Sequence, residues 1–485
     1  MPVQAPETYK HFREATIEGL ARVREQLSAG KDIQRYSAFP AMSYWESGLP
    51  GFYYSSGNQT PIDYKACFRD ESAPETIPSW KAFAVHAADI APLRSPFDDL
   101  LGVDSSGGVF NTAGRVFSTL EHFIDRYIHI FQTTDINEEA FLELYQLWEN
   151  SVLSEELPFD ILVPIIYLTC DFDPIDLGDI AIEKMTDEVQ LARSNKHFRA
   201  VVSVGMSGYT IAARDWIEGA ATHALVLKNW SIRNPGCWRR RDLLTSADTF
   251  TEPLKKIDLF IAALRAVTSH ETGYSQLVIR PRDWADPDHW EASLPDLYVV
   301  SLRGAYPDHF EEDFEDYGLR HAKPPELTEH DCREAAKIFH KIEESPNNKL
   351  ILAARRLNSA CLRGNEQDAI LDVTIGLETL LVDDTWNQTG DWLGRRLAAL
   401  CRLRPFESHS LSEVFDFCKK VYAFRSAVVH GAPVTKKNRV VKLSRQQSIP
   451  TLTLGIRLVR HVVVILAEHP EYLDVKRIDR DLLDE

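Results

Sequence analysis

The hydrophobic pattern of the chain changes at Pro325, and this change limits the folds available to it more than any other feature. After Pro325, apolar residues return every three or four positions without alternating runs, which predicts helices only. We therefore expect a helical bundle over residues 326–485. The predicted helices are Thr328–Glu344, Asn348–Arg363, Asn365–Val382, Thr389–Arg402, Leu411–Val429 and about Ile449–His469.

Residues that start and stop helices support these limits. Ser410 and Glu413 have the spacing of a capping box at the start of the fifth predicted helix, and Gly431 follows its end. Pro470 follows the sixth helix, where it blocks extension. The third helix carries one apolar stripe, which needs a partner face to cover it. The stripe consists of Ala369, Ile370, Val373, Leu377, Leu380 and Leu381.

Residues 1–325 mix helical and strand-like patterns, which predicts an α+β fold. Because the 485 residues exceed the roughly 250 to 300 that one core usually supports, we expect at least two domains. We place them at 1–325 and 326–485, with a division near residue 155 left open and 308–323 as connector. The predicted helices of the first part are Gln4–Ala29, Asn111–Gln132 and Ile136–Leu153. The predicted strands are Ile161–Cys170, Ala221–Ile232, Gln276–Ile279 and Leu297–Leu302.

Charge is distributed unevenly along the chain, whose net charge is -18. Residues 1–325 carry 30 basic and 49 acidic side chains, a sum of -19, whereas 326–485 carry 24 and 23, a sum of +1. No Asp or Glu occurs from Phe417 to Ala467, a stretch with ten Lys and Arg residues. This basic window predicts a local anion-binding site, with a solvated basic face as the alternative.

Absent motifs argue against nucleotide hydrolysis, hydride transfer and serine hydrolysis as the function of the chain. The chain has no P-loop, no dinucleotide-binding glycine motif and no Cys-x-x-Cys pair, and Gly205–Tyr209 lacks the second glycine of a nucleophile elbow. No apolar run reaches the roughly 20 residues that cross a bilayer, and the N-terminal stretch has no signal-peptide layout. We therefore expect a cytoplasmic protein without a membrane partner.

An acidic run leaves a metal-dependent nuclease as one alternative. Asp171, Asp173, Asp176 and Asp179 follow a predicted strand, and alternating carboxylates hold hard cations. The run lacks the Gly and Glu of a calcium loop, so a solvated turn is the favoured interpretation.

Arg425 and His430 end the fifth predicted helix inside the basic window. Five positions of a helix correspond to about 500°, so the two side chains point about 140° apart. They converge on one phosphate only if the helix ends near His430, or if each reaches a second copy of the domain across a two-fold axis. The alternative role for His430 is to bind the carbonyls at the helix end.

Three segments of this region resemble the HEPN superfamily, in particular the ApeA-like HEPN domains of bacterial defence proteins. They are LILAARRLNSACLRGNEQDAILDVTIGLETLLVDD, GRRLAALC and VYAFRSAVVHGAP, and the likeness covers residues 326–485. Arg425 and His430 match the family's Arg-x4-6-His ribonuclease motif, whereas Ser426 stands where active members often have Asn, Asp or His. Glu378 and Arg396 fall where the family places polar residues on helices, and Tyr422 supports the same region.

The resemblance implies a metal-independent endoribonuclease that needs no cofactor. It implies a homodimer with a composite site, tRNA or another structured RNA as substrate, and an anti-phage, abortive-infection response as the setting. For Glu378, an internal ion pair with Arg355, Arg356 or Arg396 is an equal alternative.

The chemistry needs few protein groups, because the RNA 2′-OH is itself the nucleophile. We expect His430 to act as general acid or base, Arg425 to stabilise the phosphorane and Ser426 to orient one of them. The products would carry 2′,3′-cyclic phosphate and 5′-OH ends. The expected RNA-binding residues are Lys419, Lys420, Lys436, Lys437, Arg439 and Lys442.

Two further expectations concern partners. The acidity of residues 1–325 disfavours RNA binding there, so we assign that part to sensing or recognition of a trigger, a phage-derived one in the defence setting. The alternative function is a catalytically silent HEPN module that binds RNA or a partner by dimerisation, which Ser426 makes conceivable.

Overall fold

A computed structural model describes most of the chain. The described residues are 3–69, 77–96, 111–172, 174–202, 217–302, 305–310, 321–345, 347–383, 389–443 and 447–483. Gly205–Tyr209, Asp173 and the central part of the predicted connector lie outside these ranges.

The described residues up to 153 form a helical layer with a small hairpin. Phe12 lies at its centre, with ring centroids 4.8 Å from Phe123 and 4.5 Å from Trp148. The three predicted helices are confirmed, because their apolar residues return with the helical period and pack into this core. The helices are α1 (Pro6–Ser28), α2 (Pro78–Ala88), α3 (Thr112–Phe131) and α4 (Glu138–Leu153), and the hairpin consists of β1 (Phe39–Tyr44) and β2 (Pro50–Ser55).

A six-stranded antiparallel sheet follows, so the predicted α+β class is confirmed. Across the sheet its strands lie in the order Ile175–Asp176, Ile180–Lys184, His223–Arg233, Glu156–Pro164, Gln276–Pro281 and Tyr298–Ser301. The predicted strand Ile161–Cys170 is divided in two, because the sheet strand ends at Pro164, which has no N–H to donate. The strands are β3 (Glu156–Pro164), β4 (Thr169–Cys170), β5 (Ile175–Asp176), β6 (Ile180–Lys184), β7 (His223–Arg233), β8 (Gln276–Pro281) and β9 (Tyr298–Ser301). The helices of this region are α5 (Asp187–Val202), α6 (Arg240–Leu244) and α7 (Thr251–Thr268).

All six helices predicted after Pro325 are present, with ends within two residues of the predicted ones. A short strand β10 (Glu326–Leu327) precedes them, and a short helix and hairpin that the sequence did not predict separate the last two. The six are α8 (Glu329–Glu343), α9 (Asn348–Leu362), α10 (Glu366–Leu381), α11 (Thr389–Leu400), α12 (Leu411–Val429) and α14 (Thr451–Glu468). The additional elements are α13 (Lys436–Arg439), β11 (Val440–Lys442), β12 (Ser448–Pro450) and α15 (Val475–Ile478).

Helix α7 connects the sheet to the bundle. Its residues are buried on several sides, and Phe260 packs edge-on against Phe339 of α8 with ring centroids 5.8 Å apart. β10 also pairs in parallel with β4. One apolar core therefore runs from the sheet through α7 into the bundle. Among the described residues, no helix combines the length and hydrophobicity that crossing a bilayer requires.

Candidate functional site

The fifth bundle helix, α12, brings the predicted catalytic residues to the protein surface. Its capping box is present as predicted, with the Ser410 hydroxyl accepting from the N–H of Glu413. The helix ends at Val429, and the N–H of His430 donates to the carbonyl of Ser426 at 3.1 Å. Gly431 then takes a left-handed conformation with φ 62°, which favours glycine. His430 is thus the C-cap residue of the helix, as its position before Gly431 predicted.

Arg425 lies against α10 rather than in open solvent. Its Nη2 is 3.9 Å from Oε1 of Glu378, and its guanidinium is 5.5 Å from the ring centre of Tyr422. About a quarter of each charged side chain is exposed, 26% for Arg425 and 24% for Glu378. Burial raises the pKa of Glu378, and the positive charge of Arg425 partly offsets this effect. The structure thereby brings together three of the predicted site residues.

Among the residues that the structure describes, Glu378 forms no ion pair with Arg355, Arg356 or Arg396. Arg356 binds Asp372 instead, with Nη1 2.8 Å from Oδ1. Arg396 is fully buried, and its Nε and Nη2 donate to Asp479 at 2.7 Å and 2.6 Å. Its Nη1 donates to the carbonyl of Leu381 at 2.8 Å. Arg396 therefore holds the bundle to the C-terminal segment and does not reach the surface where Arg425 and His430 lie.

His430 is exposed, and its imidazole has no hydrogen-bond or ion-pair partner in the described part of the chain. Arg425 and His430 are not joined by any contact within these residues. Because α12 is helical to Val429, the two side chains leave it in directions about 140° apart. Ser426, which is partly buried, lies between them on the helix circumference. Since the helix ends at Val429, the condition for convergence within one chain, a helix end near His430, is met, and a site shared by two copies is the other arrangement.

A groove beside α12 collects four of the six predicted RNA-binding residues. It has a volume of about 830 Å³ and lies between α12 and the segment formed by α13 and β11. Its apolar floor includes the buried side chains Phe417 and Val441, and Glu413 and Asp416 lie at one end. The four basic residues that line it are Lys419, Lys420, Lys437 and Lys442. An apolar floor with basic walls suits a nucleic acid strand.

The six predicted RNA-binding residues differ in whether a carboxylate lies within ion-pair distance of their charge. Lys419 Nζ lies 3.0 Å from Asp391 Oδ1, and Arg439 Nε lies 3.4 Å from Glu366 Oε2. Within the described ranges, Lys420, Lys437 and Lys442 have no carboxylate within ion-pair distance. Lys436 is exposed outside the groove. In the described ranges the groove therefore carries three lysines without an ion-pair partner, together with the carboxylates of Glu413 and Asp416.

Gly390 is a site residue that the sequence did not predict. A Cβ atom at this position would lie 2.9 Å from Cδ1 of Tyr422, the aromatic ring beneath Arg425. Only a residue without a side chain allows α11 to approach α12 this closely. The contact depends on tertiary packing, so no local sequence signal reveals it.

Two of the four carboxylates in the acidic run of the metal-dependent alternative are paired with lysines. Asp176 lies 2.8 Å from Lys228 Nζ, and Asp179 forms an ion pair with Lys256. Asp173 lies outside the described residues. Within the residues that the structure covers, no group of three or more His, Cys, Asp or Glu side chains is arranged to hold a metal ion.

Comparisons of the chain with protein-family models, with curated proteins and with solved structures found no match.

Proposed function

We propose that the chain is a metal-independent endoribonuclease of the HEPN type. The observation that carries the proposal is the position of His430, an exposed imidazole without a partner in the described structure, directly after the helix that bears Arg425 and that also lines a groove with four lysines. An imidazole transfers protons near neutral pH, and a guanidinium binds phosphate oxygens in a planar, bidentate manner. The groove provides the phosphate-binding surface that RNA requires.

The proposed reaction uses the RNA 2′-OH as nucleophile. His430 removes its proton or protonates the leaving 5′-oxygen, and Arg425 neutralises the charge that develops on the phosphorane. Ser426, located between them, orients one of the two groups by a hydrogen bond. The 2′-oxygen forms the new bond to phosphorus while the bond to the 5′-oxygen breaks, which gives a 2′,3′-cyclic phosphate and a 5′-OH. DNA lacks the nucleophile and is not cut.

The active form that we propose is a homodimer. On an ideal helix Arg425 and His430 point about 140° apart, which favours a phosphate bound where two copies meet with the ends of their α12 helices together. The exposed apolar side chain of Val429, with a relative exposure of 50%, lies at this helix end. Each active site would combine Arg425 of one protomer with His430 of its partner.

Mixed dimers test this arrangement. Arg425→Ala and His430→Ala are each expected to abolish cleavage alone. After the two variants are mixed and allowed to exchange subunits, every mixed dimer retains one site with both groups, so about half of the sites per mixed dimer regain activity. If both groups of a site come from the same chain, mixing restores nothing.

A second candidate is an RNA-binding module without catalytic activity. It is favoured by the position of Glu378, whose carboxylate approaches Arg425 where the nuclease needs a phosphate. This module would bind RNA in the lysine groove and leave it intact.

The cellular setting is part of the proposal. The resemblance to defence proteins supports cleavage of tRNA or other structured RNA during phage infection. The acidic residues 1–325 would then recognise a trigger, and the apolar core shared by the sheet, α7 and the bundle offers a route from that part to α12.

A further inference from the structure

A second basic cavity lies on the bundle, apart from the lysine groove. It has a volume of about 240 Å³ and is bounded by the C-terminal end of α7, the loop between α11 and α12, and helix α14. Three arginines line it, namely Arg404, Arg457 and Arg460. None of its lining residues lines the groove, so the two sites are separate. Arg457 and Arg460 belong to the basic window, but the proposed nuclease reaction does not use them.

Arg460 is a partly buried cation that no described carboxylate neutralises. In the described part of the chain, the Arg460 side chain makes one hydrogen bond, in which Nη2 donates to the carbonyl of Ala266 on α7 at 3.3 Å. Its Nε is buried without a hydrogen-bond partner. Burial lowers the pKa of Arg460 to about 10. An unpaired buried charge is costly, and a bound anion would compensate it.

The other cavity residues leave an excess of positive charge. Arg457 pairs with Glu407, and Arg404 Nη1 lies 3.3 Å from Oε2 of Glu468 while its side chain is 52% exposed. Two carboxylates therefore face three guanidinium groups.

One further donor, the hydroxyl of Ser269, lies at the cavity, and His461 helps to position the cavity wall. His461 Nε2 is 2.9 Å from the carbonyl of Arg404, which fixes the loop between α11 and α12 against α14. Ser269 ends α7 in a left-handed conformation with φ 64°, and its exposed hydroxyl lines the cavity. The hydroxyl donates one hydrogen bond, so the cavity offers both charged and neutral donors to an oxyanion.

We propose that this cavity binds a phosphate group, as inorganic phosphate or as the phosphate of a small monoester. Guanidinium groups pair with phosphate oxygens in a planar, bidentate geometry. The volume is below the roughly 300 Å³ at which pockets for larger ligands begin, so a whole nucleotide does not fit inside. The ligand connects α7, α14 and the loop that leads into α12, and it thereby stabilises the junction between the sheet and the catalytic helix.

Calorimetric titration of the full chain with sodium phosphate at constant ionic strength tests the proposal. We expect saturable binding and a rise of Tm with phosphate concentration, since a ligand of the folded state stabilises it. Arg460→Met keeps the buried alkyl chain but removes the charge, and we expect it to weaken phosphate binding about tenfold or more. Lys437→Gln, in the separate groove, serves as the matched control and should bind phosphate as the wild type does.

Three results would overturn the proposal. The first is the absence of saturable phosphate binding by the wild-type chain. The second is unchanged phosphate binding by both Arg460→Met and Arg457→Gln. The Arg457 side chain is 32% exposed, so Arg457→Gln alone decides the outcome if Arg460→Met does not fold. The third is displacement of phosphate by a 2′-deoxy oligonucleotide but not by glycerol phosphate, which would assign the cavity to nucleic acid. RNA cleavage enters none of these readouts, so they are independent of the proposed nuclease.

Discussion

Nη2 of Arg425 lies 3.9 Å from Oε1 of Glu378, and this contact connects the fifth helix of the bundle to the third. The distance is long for an ion pair, and both side chains are partly buried. The arginine that we assign to phosphate binding is therefore held in place by a carboxylate that also opposes the approach of phosphate.

Substitution of this carboxylate should strengthen RNA binding. Glu378→Gln removes a negative charge beside Arg425 and keeps the shape of the side chain, so the local potential becomes more positive. We expect the Kd for a non-cleavable 2′-deoxy substrate analogue to fall about threefold, by about 0.7 kcal/mol. Fluorescence anisotropy at fixed salt measures this Kd. The control is Glu329→Gln on α8, which removes a carboxylate from an exposed ion pair with Arg333. Weaker binding by Glu378→Gln would contradict this role.

The lysine groove should determine the salt dependence of RNA binding. Lys420 and Lys437 line it without carboxylate partners among the described residues. Each lost phosphate contact lowers the magnitude of the slope of log K against log salt by about 0.7 to 0.9, so Lys420→Gln with Lys437→Gln should lower it by about 1.4 to 1.8. Lys337→Gln on α8, paired with Glu334, should leave the slope unchanged. Equal slopes for the double variant and the wild type would exclude the groove as the RNA path.

Two buried glycines of the bundle should respond in opposite ways to alanine. A Cβ at Gly455 on α14 would lie 2.8 Å from Cγ1 of Val373 and 3.3 Å from Cγ1 of Val421. Such overpacking costs about 1 to 3 kcal/mol, so Gly455→Ala should lower Tm. A Cβ at Gly376 on α10 would lie 3.5 Å from its nearest neighbours, so Gly376→Ala should gain up to about 1 kcal/mol of helix propensity. Differential scanning calorimetry measures the Tm of both variants. A rise of Tm for both would show that α14 packs less closely than described.

Glu121 on α3 should make the protein less stable as the pH rises through neutrality. Burial raises the pKa of this carboxyl to about 7 from its ordinary value of 4.5. The folded state therefore binds the proton more tightly than the unfolded state, so the stability that this provides is complete below pH 4.5 and lost as the pH passes 7.

Glu121→Gln removes this dependence. Relative to the wild type, the variant should gain about 2 kcal/mol of unfolding free energy between pH 5 and pH 8. Calorimetric Tm values of both proteins at the two pH values measure the change. Neighbouring groups such as His122, whose pKa burial lowers to about 4, titrate in both proteins and cancel in the difference. A constant difference in Tm from pH 5 to pH 8 would contradict the raised pKa.

Local signals in the sequence were sufficient for the helices of the bundle. The capping box of Ser410 and Glu413, the left-handed Gly431 and the buried stripe on α10 all depend on residues close in the chain. Helix α7 was missed, because it is buried between the sheet and the bundle. Its apolar residues therefore cover most of its circumference and show no amphipathic period.

Contacts between residues that are far apart in the chain could not be predicted from the sequence. Arg396 finds its carboxylate at Asp479, 83 positions away, so its burial could not be inferred from its own surroundings. The same holds for the contact of Glu378 with Arg425 and for Gly390 beneath Tyr422. The assignment of Arg425 and His430 as a catalytic pair stays a prediction from the sequence, and the fold determines which groups surround them.

The most direct test of the account is to incubate the purified chain with total tRNA, with and without EDTA, and to map the ends of the products. We predict cleavage that EDTA does not inhibit, products with 2′,3′-cyclic phosphate and 5′-OH ends, and complete loss of cleavage in a folded His430→Ala variant. Intact RNA with the wild-type chain, or cleavage that EDTA stops and His430→Ala retains, would contradict the assignment of Arg425 and His430 as the catalytic pair.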